Sequence, residues 1–372
     1  MLFELWKHPR PAAPAFRRDG QVVVASHRLA REVLADRDRF SAANALDAVV
    51  PVPTGTLRGL AAHRFRLPAT LANNDTATHG PIRERFGEVF APARVAALRP
   101  WLTGLVRRTV AVAAHRLRAG EDVDLDAAVS SEVPLAALAR LMGFEASATA
   151  EVKHFSRAAL ELFWGDPSPA RQRELADAVG PFHAMLRGWA LDGAVGDLRE
   201  AHGEDAATAA LFFLLVAGQE TTSQFLTLLL HRLVEEPDLL AHEPASIVEE
   251  GLRLLPPITS WRRVALRDTE IGGVPVAAGD SVLVWLAAAG ADEEVAECPA
   301  AMVPGQRGSR RHLAFGAGAH RCLGSQLSRL EAEVVVAELG PLLPRCAVVA
   351  APMSDPNLSF RMPSPLVVRL RD

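Results

Sequence analysis

Residues 312–324 read HLAFGAGAHRCLG, and their chemistry centres on Cys322. The chain has three cysteines, Cys298, Cys322 and Cys346, and no CxxC pair. That count argues against a disulfide framework and against a cysteine zinc site. Gly316 and Gly318 give the preceding loop backbone angles that other residues resist. Cys322 stands at or near the first turn of a helix-like run, LGSQLSRLEAEVVVAEL. Free backbone N–H groups and the positive helix end favour a thiolate there, and His320 and Arg321 add positive charge. Three roles are open: a buried structural cysteine, a nucleophile with a base and an orienting partner, or a single axial thiolate on haem iron. A GxGxxG dinucleotide loop is excluded, because Arg321 occupies the last glycine position.

A second set of reactive residues interrupts the apolar stretch ALFFLLVAGQETTSQFLTLLLHRL, residues 210–233, where Gly218, Glu220, Thr221 and Thr222 fall at mid-length. A buried acid is costly unless it is paired or has a task. Thr221 can bond the carbonyl of Ala217, four residues back, and open a local groove. Glu250 and Arg253 share one helical face at i, i+3. In NNDTATHGPIRERF, His79 and Arg83 lie four apart, with Pro81 suited to a first helical turn.

The elements that must position these residues are mostly helical. Amphipathic or buried helical periodicity covers residues near 28–36, 80–90, 94–118, 125–142, 146–163, 169–192, 205–235, 245–255 and 323–341. Strand-like stretches are short, at 21–26, within 264–276 and at 280–287, with a further pair at 345–350 and 365–370. There is no internal repeat and no low-complexity linker. The expectation is a mainly α protein with small β-sheets, residues 1–372 forming a single domain. A net charge of −4 gives no footprint of a nucleic-acid binder. The apolar run 209–218 is too short to span a bilayer, and the N-terminal segment has no signal-peptide core, so a cytoplasmic protein is expected.

The run Phe-Gly-x-Gly-x-His-x-Cys-x-Gly at 315–324 resembles the ligand loop of the cytochrome P450 haem-thiolate monooxygenases, of the soluble bacterial kind. The resemblance extends from about residue 20 to the end, and is most specific over 209–222, 245–285 and 312–335. It implies heme b between the long central helix and the Cys-loop helix, with Cys322 as the iron ligand. Phe315 would pack beside the ligand loop, and Gly316, Gly324 and Ala217 would lie against the cofactor. The loop glycines would pass under the porphyrin and direct N–H groups at the sulfur. Arg263, rather than its neighbour Arg262, would meet a haem propionate, together with His320, His79 and Arg83. Thr221 and Glu220 would deliver protons to the O2 being activated, and Glu250 and Arg253 would support the haem core.

The implied reaction is hydroxylation or epoxidation of a mid-sized, mostly hydrophobic molecule in bacterial secondary metabolism. Electrons would come from a ferredoxin and its reductase docking near Arg307, Arg310, Arg311 and Arg321. The implied protein is a monomer without nucleic-acid or membrane partners. The pocket would draw on 55–75, 155–190, Leu214, Ala217, 256–262 and 358–361. Arg58, His63, Arg64 and Arg66 within the first stretch allow a carboxylate or carrier-bound acyl substrate. Competing readings keep the haem for peroxide-driven oxidation, isomerisation or oxidative coupling, or make the chain a haem-free accessory protein. Retention of Glu220, Thr221 and Cys322 weighs against both. The chain departs from the family in abbreviated segments before the central helix and before the Cys loop (ECPAAMVPGQRGSRR), and in AAAGADEEV, which replaces a stretch that commonly carries Asn and Arg and so puts the usual partner of Arg253 in doubt.

Overall fold

The computed structural model describes residues 2–144, 149–189 and 192–371. The helices within them are α1 His27–Ala35, α2 Thr54–Ala62, α3 His79–Val89, α4 Pro92–Ala97, α5 Arg99–Arg118, α6 Glu132–Met142 and α7 Thr149–Trp164. They continue with α8 Pro169–Arg187, α9 Ala194–His202, α10 Glu204–Ala217, α11 Glu220–Glu235, α12 Pro244–Leu254, α13 Leu286–Gly290 and α14 Ser325–Leu339. The strands among the described residues are β1 Ala15–Arg18, β2 Gln21–Val24, β3 Phe40–Ser41, β4 Val123–Asp124, β5 Trp261–Ala265, β6 Thr269–Ile271, β7 Val274–Val276, β8 Ser281–Val284, β9 Cys346–Ala350 and β10 Val367–Leu370. They form a five-stranded sheet ordered β1-β2-β8-β5-β3, a three-stranded sheet β4-β10-β9 and the β6-β7 hairpin.

The fold is mainly α with small sheets, as the periodicity predicts. The large apolar cluster is built by α3, α5, α6, α7, α8, α10, α11, α12 and α14. α11 is buried along most of its length, and its buried residues include the polar Glu220, Thr222, Ser223, Gln224 and Thr227 beside its leucines. The five-stranded sheet carries a separate cluster against α1 and α13. The expected strand pair near 345–350 and 365–370 exists, as antiparallel β9 and β10.

Several boundaries differ from expectation. The single helix predicted over 205–235 is two helices. Gln219 leaves helical geometry, and Thr221 Oγ1 donates to the Ala217 carbonyl at 2.7 Å. Gly218 is required at the break: a Cβ there would lie 2.5 Å from the Leu214 carbonyl oxygen and 3.1 Å from Leu138. The 94–118 helix is also two, α4 and α5, with Pro100 opening the second. The start of the expected 146–163 helix and residues 190–191 of the expected 169–192 helix lie outside the described residues. Helices α2, α9 and α13 and strands β1, β3 and β4 carry too few periodic residues to be read from sequence.

Candidate active site

Cys322 lies in the loop between the 3-10 turn Gly318–His320 and α14, three residues before that helix starts, rather than inside its first turn. Its backbone N–H donates to the Phe315 carbonyl at 2.9 Å, closing the loop on itself. Gly316 and Gly318 both have positive φ, 65° and 70°. At Gly318 the freedom is doubly needed, because a Cβ would sit 2.8 Å from Leu34 O and Ala35 Cα of α1. The sulfur is open to an internal cavity and otherwise enclosed by protein. Enclosure pushes its thiol pKa up, and a backbone hydrogen bond from Gly324 and the charges of Arg83, Arg321 and Arg329 pull it back. The N–H aimed at sulfur is therefore that of Gly324, not of the earlier glycines.

Phe315 is fixed from behind. The Arg329 guanidinium stands 4.5 Å over its ring and His312 is tilted against it at 5.7 Å. Glu249 of α12 binds both partners, Arg329 Nε at 2.5 Å and His312 Nε2 at 3.2 Å. Burial pushes the Glu249 carboxyl up, but these bonds prevail and hold it at about 2.

A cavity lined mostly by apolar side chains opens in front of the Cys322 sulfur. Its lining includes Cys322, Phe315, Gly316, Gly324, Ala217, Thr221, Arg83, Arg263 and His320. It also includes Leu71, Trp164, Leu214, Ile258, Trp261 and Phe360, which agrees with much of the expected pocket. Arg58, His63, Arg64 and Arg66 do not line it: Arg58 stands on α2, and His63 packs on α8 at Gly180. That overturns the basis for a carboxylate site there.

The basic residues gather at one part of the site. Arg263 is 2% exposed and has no carboxylate within ion-pair reach among the described residues; its Nη1 donates to the Arg262 carbonyl at 2.8 Å. Burial pulls its pKa down to about 10, opposed by Asp75. Arg262 points elsewhere, donating to the Asp47 carbonyl, and does not line the cavity. Arg83 donates to the Arg321 carbonyl. His320 Nε2 meets Asp75 Oδ1 at 2.9 Å, and Asp75 is itself held by Ser41 Oγ at 2.6 Å and the Ala42 N–H at 2.5 Å. The His79 ring packs 4.5 Å from that of His320, behind the lining residues. Burial, then the charges of His320, Arg37 and Arg83, lower the His79 pKa to about 4.

His79 Nε2 and His320 Nδ1 are buried and have no partner among the described residues. A buried guanidinium without a carboxylate partner, and two imidazole nitrogens without partners among the described residues, form a donor set suited to an anion. That donor set and the Cys322 sulfur facing the cavity fit a haem with its propionates.

Thr221 lines the cavity, whereas Glu220 does not. Glu220 is 1% exposed and pairs with Lys153 Nζ at 2.9 Å, which also donates to Ser223 Oγ at 2.7 Å. Burial raises the Glu220 pKa, but Lys153, first by its charge, turns the shift downward. Sequence reasoning missed Lys153, Asp75 and Arg329. Lys153 had a signal, being one of two lysines in an arginine-rich chain. It also missed Glu331 of α14, which is fully buried with both carboxylate oxygens unpartnered among the described residues. Thr222 lies beside Glu331 but gives its hydroxyl proton to Ser328 Oγ at 3.1 Å.

Glu250 and Arg253 form the expected pair, both fully buried, at 2.6 and 3.0 Å. The abbreviated segment supplies the missing partners as backbone. Arg253 donates to the carbonyls of Pro299, Ala301, Cys298 and Gly290 at 2.7–3.2 Å. Glu250 accepts from Ser309 Oγ, Gln306 Nε2 and the Val303 N–H.

Comparison with known proteins agrees with this geometry. A family model described as Cytochrome P450 matches residues 245–369. Erythromycin C-12 hydroxylase of Saccharopolyspora erythraea is 30% identical over 293 residues, covering 73% of this chain and 72% of the relative. Cytochrome P450-SOY of Streptomyces griseus is 29% identical over 357 residues, 92% of this chain and 84% of the relative. Among solved structures, cytochrome P450 CREJ in complex with (4-ethylphenyl) dihydrogen phosphate superposes with a TM-score of 0.89 at 27% identity, covering 99% of this chain and 97% of the other.

Proposed function

The chain belongs to the cytochrome P450 family, and from that premise we propose that it is a ferredoxin-dependent monooxygenase whose heme b is held by Cys322. Membership makes it an oxygen-incorporating oxidoreductase with a haem, a small-molecule substrate and a redox partner. The finer reading is carried by one observation: the Cys322 sulfur faces a cavity that also holds Arg83, Arg263 and His320.

On this reading Arg83, Arg263 and His320 take the propionates, with His79 packed behind His320, while Phe315, Gly316, Gly324 and Ala217 line the macrocycle. Bound there, haem supplies reduction and cleavage of O2 and insertion of one oxygen atom into substrate. Cys322 presents its sulfur against the Gly324 N–H, which tempers its electron donation. Thr221 keeps a hydroxyl at the break between α10 and α11, parked on Ala217 O and free to turn toward a proton acceptor in the cavity. Glu220 stands one residue away as the acid that resupplies the hydroxyl, and Lys153 holds its charge when it is not doing so. Trp164, Phe213, Leu214, Ile258, Trp261 and Phe360 exclude water and receive a mid-sized hydrophobic substrate for hydroxylation or epoxidation. A bacterial secondary-metabolite setting is supported by the erythromycin hydroxylase relative. The same reading has residues 1–372 acting as one domain, as a cytoplasmic monomer. The electron-donating ferredoxin docks on the exposed arginines Arg307, Arg310, Arg311 and Arg321.

The test is the reduced, carbon-monoxide-bound absorption spectrum. The wild-type protein should give the strongly red-shifted Soret band of a thiolate ligand, and Cys322→Ala should lose it while keeping its helical circular dichroism. A wild-type spectrum without the shift removes Cys322 from the iron. Thr221→Ala should keep the spectrum and divert a larger share of electrons to hydrogen peroxide; unchanged coupling to product would end the proton-delivery role of Thr221.

A further inference from the structure

The cavity holds a group of aromatic side chains drawn from three distant parts of the chain: Trp164 at the end of α7, Trp261 opening β5, and Phe360. The two indoles are nearly parallel, 25° apart with centroids at 6.3 Å. Phe360 stands edge-on to both, at 5.0 Å and 68° to Trp164 and at 6.2 Å and 81° to Trp261. Together they make one panel, open to the cavity chiefly at half-buried Trp261 and braced by Trp164 and Phe360, which are 3% and 2% exposed.

The panel is held by backbone rather than by mutual packing alone. The Leu358 N–H donates to the Trp164 carbonyl at 2.7 Å, and Gly165 is bridged to Asn357. Buried Asn357 donates from Nδ2 to the Leu160 carbonyl at 3.1 Å. Its Oδ1 accepts from the Ser359 and Phe360 N–H groups at 3.0 and 2.8 Å. On the other side the Thr259 N–H donates to the Ser359 carbonyl at 2.7 Å and Ser260 Oγ to the Leu358 carbonyl at 2.7 Å, while Ile258 is bridged to Phe360. The end of α7, the 357–360 turn and the start of β5 are thus one hydrogen-bonded unit. Fixed rings reward a flat partner. Aromatic side chains already ordered give up little entropy on binding, and ring-on-ring contact adds about 0.5–1.5 kcal/mol beyond buried area. A puckered aliphatic molecule of equal size touches such a wall at fewer points.

We propose that Trp164, Trp261 and Phe360 set the substrate class of this site to molecules that present a flat aromatic ring system. The inference rests on the monooxygenase reading only in taking this cavity as the substrate site. Its experiment is equilibrium dialysis of the haem-loaded protein with two probes of one carbon skeleton, phenanthrene and perhydrophenanthrene, their affinities corrected for water–octanol transfer. Phenanthrene should bind roughly tenfold tighter, the free energy of one or two ring contacts. Trp261→Leu should bring the corrected ratio close to one. Trp261 is only half-buried, so this variant is expected to fold. Equal corrected affinities in the wild type overturn the proposal, as does a ratio that survives Trp261→Leu. The carbon-monoxide spectrum is recorded on each sample: a normal thiolate band with equal affinities defeats the panel alone, whereas a missing band in the wild type defeats the catalytic reading and leaves the dialysis ratio still to decide the panel.

Discussion

Glu331 is the least expected residue in the molecule. It is fully buried, both its oxygens lack partners among the described residues, and burial raises its pKa well above the ordinary carboxyl range. Burial therefore favours its neutral form, at a cost to the fold. A raised acid pKa opposes folding only where the unfolded chain would ionise, so the cost is absent below the unfolded carboxyl range and grows as pH rises above it. Glu331→Gln should stabilise the protein at pH 7 by up to about 3 kcal/mol, the protonation cost of roughly 1.4 kcal/mol for each pH unit above the unfolded carboxyl range. Urea unfolding at pH 7 and pH 4 reads this directly: the gain should vanish at pH 4, and a gain that persists there would show that packing, not protonation, is responsible. Nothing in the sequence marks Glu331, since an acid within LSRLEAEVVV is ordinary on a solvated helix. Cys322, by contrast, is legible because its glycines, phenylalanine and histidine lie beside it in the chain.

At the scale of elements, the contact that joins α12, α14 and the Cys loop is the trio Glu249, Arg329 and His312. The Glu249 carboxyl is held at about 2, below its ordinary value near 4.5. A depressed acid contributes stability that is present above the ordinary value and lost as pH falls through the folded one. The wild type should therefore lose about 3 kcal/mol from this group between pH 5 and pH 2. Glu249→Gln should be less stable at pH 7 and lack that part of the acid loss; equal slopes of stability against pH would show that Glu249 does not anchor the loop. Long periodic helices such as α8 and α14 are readable because burial follows their repeat. The break between α10 and α11 is not, because it arises from one threonine hydroxyl capturing a carbonyl and from Leu138 crowding Gly218. The pair Glu250–Arg253 is readable by spacing, but its backbone partners across 290–309 are not, because a carbonyl has no letter in the sequence.

Over the whole molecule the net charge is −4, yet exposed Arg307, Arg310, Arg311 and Arg321 gather along the segment that leads to Cys322. A local basic patch on an acidic protein steers an acidic partner to one face and repels it from others. Association with a reduced ferredoxin should slow by about tenfold between low and high ionic strength, as exposed charges are screened beyond roughly 10 Å at 0.1 M salt. Replacing Arg307, Arg310 and Arg311 by Gln should flatten that dependence in stopped-flow reduction while leaving the thiolate spectrum unchanged; an undiminished salt dependence would move the docking face elsewhere. The chain has six tryptophans and no tyrosine, and two of the six, Trp164 and Trp261, stand nearly parallel on the cavity wall. Its intrinsic ultraviolet emission is consequently an indole signal without a phenol background, and a third of its emitters face the space where cofactor and substrate meet. The molecule thus carries its own optical probe, one that dims by energy transfer as haem enters and shifts in colour as a guest displaces water from the panel.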